Sequence, residues 1–293
     1  MADAELRRPE PATTAGPAGG APTGPTGGAP GGTAVRLPDE AELAEGGLRL
    51  ELDGAVATVT LARPERRNAM TFATWRALAA IGRALPPEVR VVVLRGDGPS
   101  FSAGIDLSMF SGGEGGFPFG ADDATGDAFI AELQEGYTWL RAPEIVTVAA
   151  VHGHAIGGGF QLALACDIRI AAEDAGFCMK EPALGLVPDL TGTKPLVEIV
   201  GVNRALELCL TARTVDAAEA ARLGLVERVV PSGGLDAALE ELTAQLLAVN
   251  AEAAVATKRL LLAAPENTLA EQCAAERREQ VVRLRALAAA FRG

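Results

Sequence analysis

The sequence predicts an α/β fold with a helical C-terminal region, and three observations support this prediction. Short apolar runs of strand character alternate with helical segments between about residues 48 and 171, which is typical of a sheet covered by helices. After about residue 192 the pattern is almost wholly helical. Residues 1–34 contain 8 Gly and 6 Pro and almost no large apolar side chains. Such a stretch cannot bury enough surface to offset its ordering entropy, so we expect a disordered tail.

The first elements are indicated by the turn and cap residues beside them. Asp53-Gly54 separates the strand-like runs 48–52 and 56–61, which predicts a β-hairpin. Thr71 is a favourable N-cap for a helix over residues 71–85, which two prolines follow.

The remaining elements follow from apolar runs, glycines and prolines. Continuous apolar runs predict buried strands at residues 89–94, 145–151 and 168–171, and a short run at 226–230. Helices are predicted at residues 127–140, 157–165 and 216–224. Six glycines over residues 111–126 predict a long loop before the helix at residues 127–140.

We expect two or three helices between residues 234 and 291. In the last of them, one apolar face is formed by Val281, Leu284, Ala288 and Phe291. This face either packs on its own domain or contacts another subunit.

Charge and cysteine usage exclude several classes of protein. The net charge is −12, from 26 basic and 38 acidic residues, so a broad nucleic-acid surface is excluded. We find no membrane span and no secretory signal, and we expect a cytoplasmic protein. The cysteines have no metal-like spacing, so we expect no metal site and reduced thiols at Cys166, Cys178, Cys209 and Cys273.

Two corners of small residues follow predicted strands, at residues 101–107 and 157–162. Small residues let a ligand approach the backbone, and a helix N-terminus offers unpaired N–H groups. Two such corners at neighbouring strand ends could aim two N–H groups at one oxygen and form an oxyanion hole. The alternative is that the glycines only allow tight packing between helix and strand.

Five segments then become recognisable together. They are residues 63–70, 102–107, 150–159, 166–171 and 181–189. With them the chain resembles the crotonase superfamily of enoyl-CoA hydratases and isomerases, from near Leu48 to the C-terminus. The resemblance implies a ClpP/crotonase-like spiral of ββα units over residues 35–233 and a helical trimerisation region over residues 234–293. It further implies an acyl-CoA substrate, no separate cofactor, and a homotrimer or dimer of trimers.

The resemblance also implies which residues bind the substrate. The N–H groups of Ala103 and Gly158 would hold the thioester oxygen and stabilise an enolate. The wider set of substrate-binding residues is Ser102, Ala103, Gly104, Ile105, Asp106, Gly157 and Gly158. The phosphates of CoA could be met by Arg63, Arg66 and Arg67, unless these arginines form only a solvated basic loop.

The catalytic candidates are Glu181, Gln161 and Asp189. Hydratases of the family use two glutamates, and the first of these positions holds Gln161 here. An amide cannot accept a proton from water, although it can hydrogen-bond a water or a substrate group. Glu181 stands at the second position, and Asp189 lies where dienoyl-CoA isomerases have an aspartate.

These carboxylates favour one reaction over its alternatives. Hydration must activate a water and protonate a carbon, whereas a double-bond shift needs one base that removes a proton and returns it elsewhere. We therefore expect enoyl-CoA isomerisation in fatty-acid or related acyl-CoA metabolism, with 2-enoyl-CoA hydration as the alternative. An alternative of another class is an acyl-CoA-binding protein without catalysis.

Overall fold

The computed structural model describes residues 36–111 and 120–291, except for the side chain of residue 111. The predicted tail at residues 1–34 and most of the glycine-rich part of the predicted loop lie outside the described residues. The strands are β1 (Leu48–Asp53), β2 (Val56–Leu61), β3 (Val91–Gly96), β4 (Val146–Val151), β5 (His154–Ile156), β6 (Ile168–Ala172), β7 (Gly176–Cys178), β8 (Val215–Asp216) and β9 (Arg228–Val230).

The α-helices of the described chain fall into two groups, those before residue 234 and those after it. The first group is α1 (Glu40–Glu45), α2 (Phe72–Ala84), α3 (Asp123–Thr138), α4 (Gly158–Ala165), α5 (Thr193–Val200), α6 (Val202–Thr211) and α7 (Ala217–Leu223). The second group is α8 (Leu235–Ala248), α9 (Ala251–Ala263) and α10 (Leu269–Ala290). None of the described helices is both long enough and apolar enough to cross a membrane.

Six of the strands form one sheet in the order β1-β2-β3-β4-β6-β9. Strands β1 and β2 make the predicted antiparallel hairpin, in which Asp53 pairs with Val56. All other pairs of this sheet are parallel. Parallel strands carry their carboxyl ends at one edge of the sheet, so the segments that follow β3 and β4 emerge side by side.

The central strands β3 and β4 are buried on both faces, as their continuous apolar runs require, whereas the edge strand β1 is mostly exposed. One face packs in a core with α2 and α4, whose side chains Leu78 and Leu162 are fully buried. The opposite face carries Val93 and Val148 and is covered by α8 through Leu239. The ammonium of Lys258 also ties α9 to the sheet region, because it donates to Asp167 Oδ2 at 2.7 Å.

Local capping signals place the helix ends. The Thr71 side chain accepts a hydrogen bond from Thr74 N and forms a capping box, so α2 begins one residue after the predicted cap. The side chain of Asp122 caps α3 by accepting from Thr125 N at 2.9 Å. The predicted loop at residues 111–126 is therefore wrong at its C-terminal end, where the helix has already begun.

A second sheet in the order β5-β7-β8 was not predicted. Its strands have two or three residues each, which is too short for a periodic pattern. Within this sheet β5 and β7 are parallel, and His154 pairs with Gly176. The sheet matters for function because β5 leads directly into the glycine corner at α4.

The C-terminal region contains the three helices at the upper limit of the prediction. The predicted apolar face of α10 does not pack on its own domain, since Val281, Leu284 and Phe291 are 45%, 53% and 82% exposed. A role for this face in subunit contact stays a prediction.

Candidate active site

The two glycine corners lie against each other in the structure. Ser102 N donates to His154 O at 2.8 Å, and Ile156 N donates to Ser102 O at 3.0 Å. Gly104 has a φ of +88°, and a Cβ there would stand 2.5 Å from Ile156 O and 3.4 Å from Gly158 N. Only glycine tolerates this conformation and this approach, so the first corner can press its backbone against the second.

The expectation that Ala103 supplies an oxyanion N–H is contradicted by the structure. Ala103 N donates to Arg67 O at 2.8 Å, so this N–H is already used. Two residues further on, Met70 N donates to Gly104 O at 2.7 Å and Asp106 N donates to Met70 O at 2.8 Å. This is a parallel bridge between Met70 and Ile105.

The bridge determines where the groups of Ile105 point. In such a bridge the N–H of the central residue is directed away from its partner strand. The N–H of Ile105 donates to no group among the described residues, and Ile105 lines a cavity. The available N–H of the first corner is therefore that of Ile105, which sequence reasoning placed in the site without this role.

The second corner brings Gly158 to the cavity, and its role as an oxyanion donor stays a prediction. Gly157 N donates to Cys178 O at 2.8 Å, which anchors the chain just before α4. Gly158 is the first residue of α4, so its N–H has no partner within the helix. Gly158 lines the same cavity as Ile105.

The cavity between these corners has a volume of about 310 Å³ and a mostly apolar wall. Its apolar side chains include Phe72, Trp75, Ile130, Leu133, Leu186 and Leu190. Its ionisable side chains are Lys180, Glu181 and Asp189. Sequence reasoning missed Lys180, although it directly precedes Glu181. It also missed the apolar wall, because those side chains come from segments distant in sequence.

Glu181 begins the short 3-10 helix Glu181–Leu184 and is 8% exposed. Its Oε1 accepts from Gln161 Nε2 at 2.7 Å, whereas its Oε2 is buried without a partner among the described groups. Burial raises the pKa of Glu181, the negative charge of Asp189 adds to the rise, and the Gln161 bond opposes it. Glu181 is thus a buried carboxyl with one oxygen free for a proton.

Asp189 brings a second carboxyl to the cavity. It lies in the loop before α5 and is half-buried. Gln134 Nε2 donates to Asp189 O at 2.6 Å and holds this part of the loop. Burial raises the pKa of the Asp189 carboxyl, so both acidic groups of the cavity hold their protons more tightly than in water.

Gln161 does not line the cavity, contrary to the expectation that it can bond a water or a substrate group there. It is fully buried. Its Oε1 accepts from Leu190 N at 2.9 Å and from Gly192 N at 3.2 Å, and its Nε2 donates to Glu181. The amide therefore joins the Glu181 turn to the loop that carries Asp189, and both of its ends are occupied.

The three arginines of the predicted phosphate site have different roles. Arg63 Nη2 and Arg66 Nη2 donate to the two oxygens of Asp106, at 3.0 and 3.1 Å. Burial would raise the pKa of Asp106, but hydrogen bonds from Ser108 and both arginines outweigh it and lower the pKa to about 2. Arg67 is exposed, and no ion pair joins its side chain to a described residue.

Two predicted binding residues stabilise the first corner through hydrogen bonds on the side away from the cavity. Asp106 is 3% exposed and fully engaged with the arginines, and it does not line the cavity. The Ser102 hydroxyl is buried and donates to Asn68 O at 2.8 Å. The described residues contain no cluster of three His, Cys, Asp or Glu side chains that could hold a metal.

Comparison with known proteins adds independent information. The family model described as enoyl-CoA hydratase/isomerase matches residues 51–284. A probable enoyl-CoA hydratase of Mycobacterium tuberculosis is 35% identical over 231 residues, which cover 78% of this chain and 86% of that protein. The human mitochondrial Delta(3,5)-Delta(2,4)-dienoyl-CoA isomerase is 39% identical over 227 residues, which cover 74% of this chain and 68% of that protein.

Solved structures are also similar to this chain over most of its length. A Thermobifida fusca protein crystallised with CoA is 61% identical and has a TM-score of 0.84, covering 87% of this chain and 99% of that chain. The same protein crystallised with acetoacetyl-CoA has a TM-score of 0.83, covering 86% of this chain and 100% of that chain.

Proposed function

Because the chain belongs to the enoyl-CoA hydratase/isomerase family, we propose that it shifts a double bond within an unsaturated acyl-CoA thioester. The observation that carries this proposal is which side chains of the cavity are carboxyls. Glu181 and Asp189 line it, while the side chain at position 161 is an amide that bonds Glu181 and the N–H groups of the following loop. The complex of the Thermobifida fusca relative with acetoacetyl-CoA supports a thioester as the ligand.

The thioester oxygen would accept hydrogen bonds from the N–H groups of Ile105 and Gly158. These donors stabilise the negative charge that develops on the oxygen when a proton leaves the neighbouring carbon. Since both N–H groups are fixed before the substrate arrives, they need little reorganisation during the reaction. The apolar wall, with Phe72 and Trp75, would hold the acyl chain and exclude water from the enolate.

The proton transfers are assigned to the two carboxyls. Ionised Glu181 removes a proton from the acyl chain, and the double bond moves as the enolate forms. The proton returns to another carbon from Glu181 itself. For a longer conjugated chain, protonated Asp189 gives its own proton to that carbon, and exchange with solvent then removes the proton held by Glu181 and restores the one lost by Asp189. No atom is gained or lost, so substrate and product are isomers.

The 3,5-dienoyl-CoA thioesters form a second candidate class of substrate. The observation that favours them is the position of Asp189 in the cavity together with Glu181. A pair of carboxyls can exchange protons with two carbons that one side chain cannot reach alone. The similarity to the human dienoyl-CoA isomerase supports this extension.

Phosphate binding and assembly are further parts of the proposal. Arg67 and the exposed part of Arg66 would meet the phosphates of CoA, while Arg63 keeps Asp106 in place. The chain would assemble as a homotrimer or dimer of trimers, and the exposed apolar face of α10 supports such a contact. The expected cytoplasmic location stays a prediction.

The proposal is tested with the purified protein and three thioesters: a 2-enoyl-, a 3-enoyl- and a 3,5-dienoyl-CoA. The products are separated by chromatography, and their molecular masses are measured by mass spectrometry. We expect an isomer of unchanged mass from the 3-enoyl- or 3,5-dienoyl-CoA, and little addition of water to the 2-enoyl-CoA. Glu181→Gln should abolish the isomerisation, whereas Glu173→Gln, at an exposed acidic position, should not.

Two results would contradict the proposal. Rapid addition of water to the 2-enoyl-CoA, unaffected by Glu181→Gln, would establish hydration by other groups. Tight binding of acyl-CoA without turnover of any of the three thioesters would establish a binding protein.

A further inference from the structure

Tyr137 is the only tyrosine of the chain, and it is fully buried beside the second glycine corner. Trp75 Nε1 donates to the Tyr137 hydroxyl at 3.0 Å, and this hydroxyl donates to Gly158 O at 3.1 Å. Trp75 belongs to the wall of the cavity. A short chain of hydrogen bonds thus runs from the acyl pocket to the backbone of the proposed oxyanion donor.

The direction of these bonds follows from the groups involved. An indole N–H can only donate, so the hydroxyl oxygen must accept from Trp75. The single hydroxyl proton can then go to Gly158 O or to Met70 Sδ, which is 3.8 Å away. A carbonyl oxygen is the stronger acceptor and is nearer, so the proton belongs to Gly158 O.

Few other groups restrain the backbone at Gly158. It stands between two other glycines, so this segment has no side chains of its own to restrict its backbone. Gly157 has a φ of +50°, and the helix supplies no partner for the N–H of Gly158. The described structure records one side-chain hydrogen bond to the Gly158 backbone, and it is the one from Tyr137.

We propose that Tyr137 is a positioning residue whose hydroxyl fixes the Gly158 backbone so that its N–H points at the thioester oxygen. This inference rests on the proposed function, because it concerns the same oxyanion hole. Burial raises the pKa of Tyr137, and the charges of Glu181 and Asp189 raise it further, so the hydroxyl keeps its proton. A displaced donor weakens catalysis strongly, since a misplacement of about 1 Å can lower a rate about 100-fold.

The test is Tyr137→Phe, which removes the hydroxyl and keeps the ring. The probe is acetoacetyl-CoA labelled at the thioester carbonyl, and the readout is the infrared frequency of that carbonyl when bound. Hydrogen bonds from the oxyanion hole lower this frequency, so we expect a smaller lowering in Tyr137→Phe than in the unaltered protein. We also expect kcat to fall about 10- to 100-fold, with KM and the affinity for CoA itself changed much less.

Thr147→Val is the matched control for loss of a buried hydroxyl. Thr147 is fully buried on β4 and bonds Leu140 O and Asp167 outside the cavity. The Thr147→Val variant should be less stable to heat, while the frequency of the bound thioester carbonyl should not change. A purely structural role for Tyr137 would make the two variants alike.

A second measurement covers the case in which Tyr137→Phe does not fold. Because the chain has one tyrosine, growth on a ring-fluorinated tyrosine labels this position alone and keeps the hydroxyl. Its fluorine resonance should move when acetoacetyl-CoA binds and stay in place when CoA binds. Equal carbonyl frequencies in Tyr137→Phe and the unaltered protein, or an unmoved resonance, would overturn this inference alone. A carbonyl frequency that binding does not lower in the unaltered protein would overturn the proposed function as well.

Discussion

At the scale of single residues, the ionised carboxylate of Glu181 is needed for the proposed reaction but lowers the stability of the folded protein. Its Oε2 is buried without a hydrogen-bond partner among the described groups, and the charged form of such a group is disfavoured by burial. A raised pKa means that the folded protein binds this proton more tightly than the unfolded chain does. Stability from this group is therefore greatest at low pH and falls as the pH rises through the raised pKa of Glu181.

Glu181→Gln should consequently make the protein more stable while it removes the activity. At neutral pH we expect a gain of about 1 kcal/mol, or about 2–4 °C in Tm, and a loss in kcat of about 10²- to 10⁴-fold. The gain should disappear as the pH falls toward the ordinary glutamate value of about 4.3. Calorimetry across this pH range checks it, and a lower Tm at neutral pH would contradict it.

The pH dependence of the reaction should report the same carboxyl. The base must be ionised, and because burial raises the pKa of Glu181, the acid limb of kcat/KM should lie above about 4.3. Gln161→Glu should move this limb to higher pH. A carboxylate in the place of Gln161 would stand 2.7 Å from Glu181 Oε1, and two carboxyls so close cannot both ionise readily.

Rate measurements on both proteins between weakly acid and neutral pH check this expectation. An unchanged acid limb in Gln161→Glu would show that the base is a different group. Glu173→Gln serves as the control, since its exposed carboxyl is remote from the cavity residues.

Some site residues are visible in the sequence and others depend on distant contacts. Order and spacing along the sequence are enough to recognise the segments that contain Glu181, Asp189 and Gly158. The choice between Ala103 and Ile105 depends on the bridge to Met70, which no local pattern records. The part played by Gln161 depends likewise on N–H groups about 30 residues away.

At the scale of elements, local chemistry decides what could be predicted. The hairpin at Asp53-Gly54 and the cap at Thr71 have their signals within a few residues, and both are confirmed. Strands β5, β7 and β8 exist because they pair with one another and with the corner at Ser102. Such pairing is a tertiary effect that overrides weak local propensity.

The contact between the two corners makes a prediction at this scale. Gly104→Ala would place a methyl group 2.5 Å from Ile156 O, so the corners must separate and the N–H of Ile105 must move. Gly201→Ala is the matched control, because Gly201 has a φ of +77° with nothing within 4 Å of the added Cβ. Both variants carry the strain of a positive φ, which is about 1–3 kcal/mol, and only Gly104→Ala adds the clash.

We therefore expect Gly104→Ala to lose more stability than Gly201→Ala and to lose most of its activity. Urea unfolding and kcat measured on both variants check this. Equal losses in the two proteins would show that the corners do not depend on their close approach.

At the scale of the whole molecule, the sheet lies between the core that contains α2 and the covering helix α8. The segments after β3 and β4 form the cavity at one edge, while α8 covers one face of the sheet through Leu239. Helix α10 lies at the end of the chain and exposes apolar side chains that its own domain does not cover. A folded protein rarely leaves such an apolar face open without a partner.

Leu284→Asp tests whether that face joins subunits. Leu284 is 53% exposed on α10, and Leu52, on strand β1, is exposed to a similar degree at 46%. A charge buried in a contact between copies is strongly unfavourable, so Leu284→Asp should lower the mass measured by light scattering to that of smaller assemblies. Leu52→Asp should leave it unchanged. Far-ultraviolet circular dichroism should be the same for both variants, because both side chains are exposed within the chain. An unaltered protein that is already a monomer, or an assembly that survives Leu284→Asp intact, would place subunit contacts elsewhere than on this face of α10.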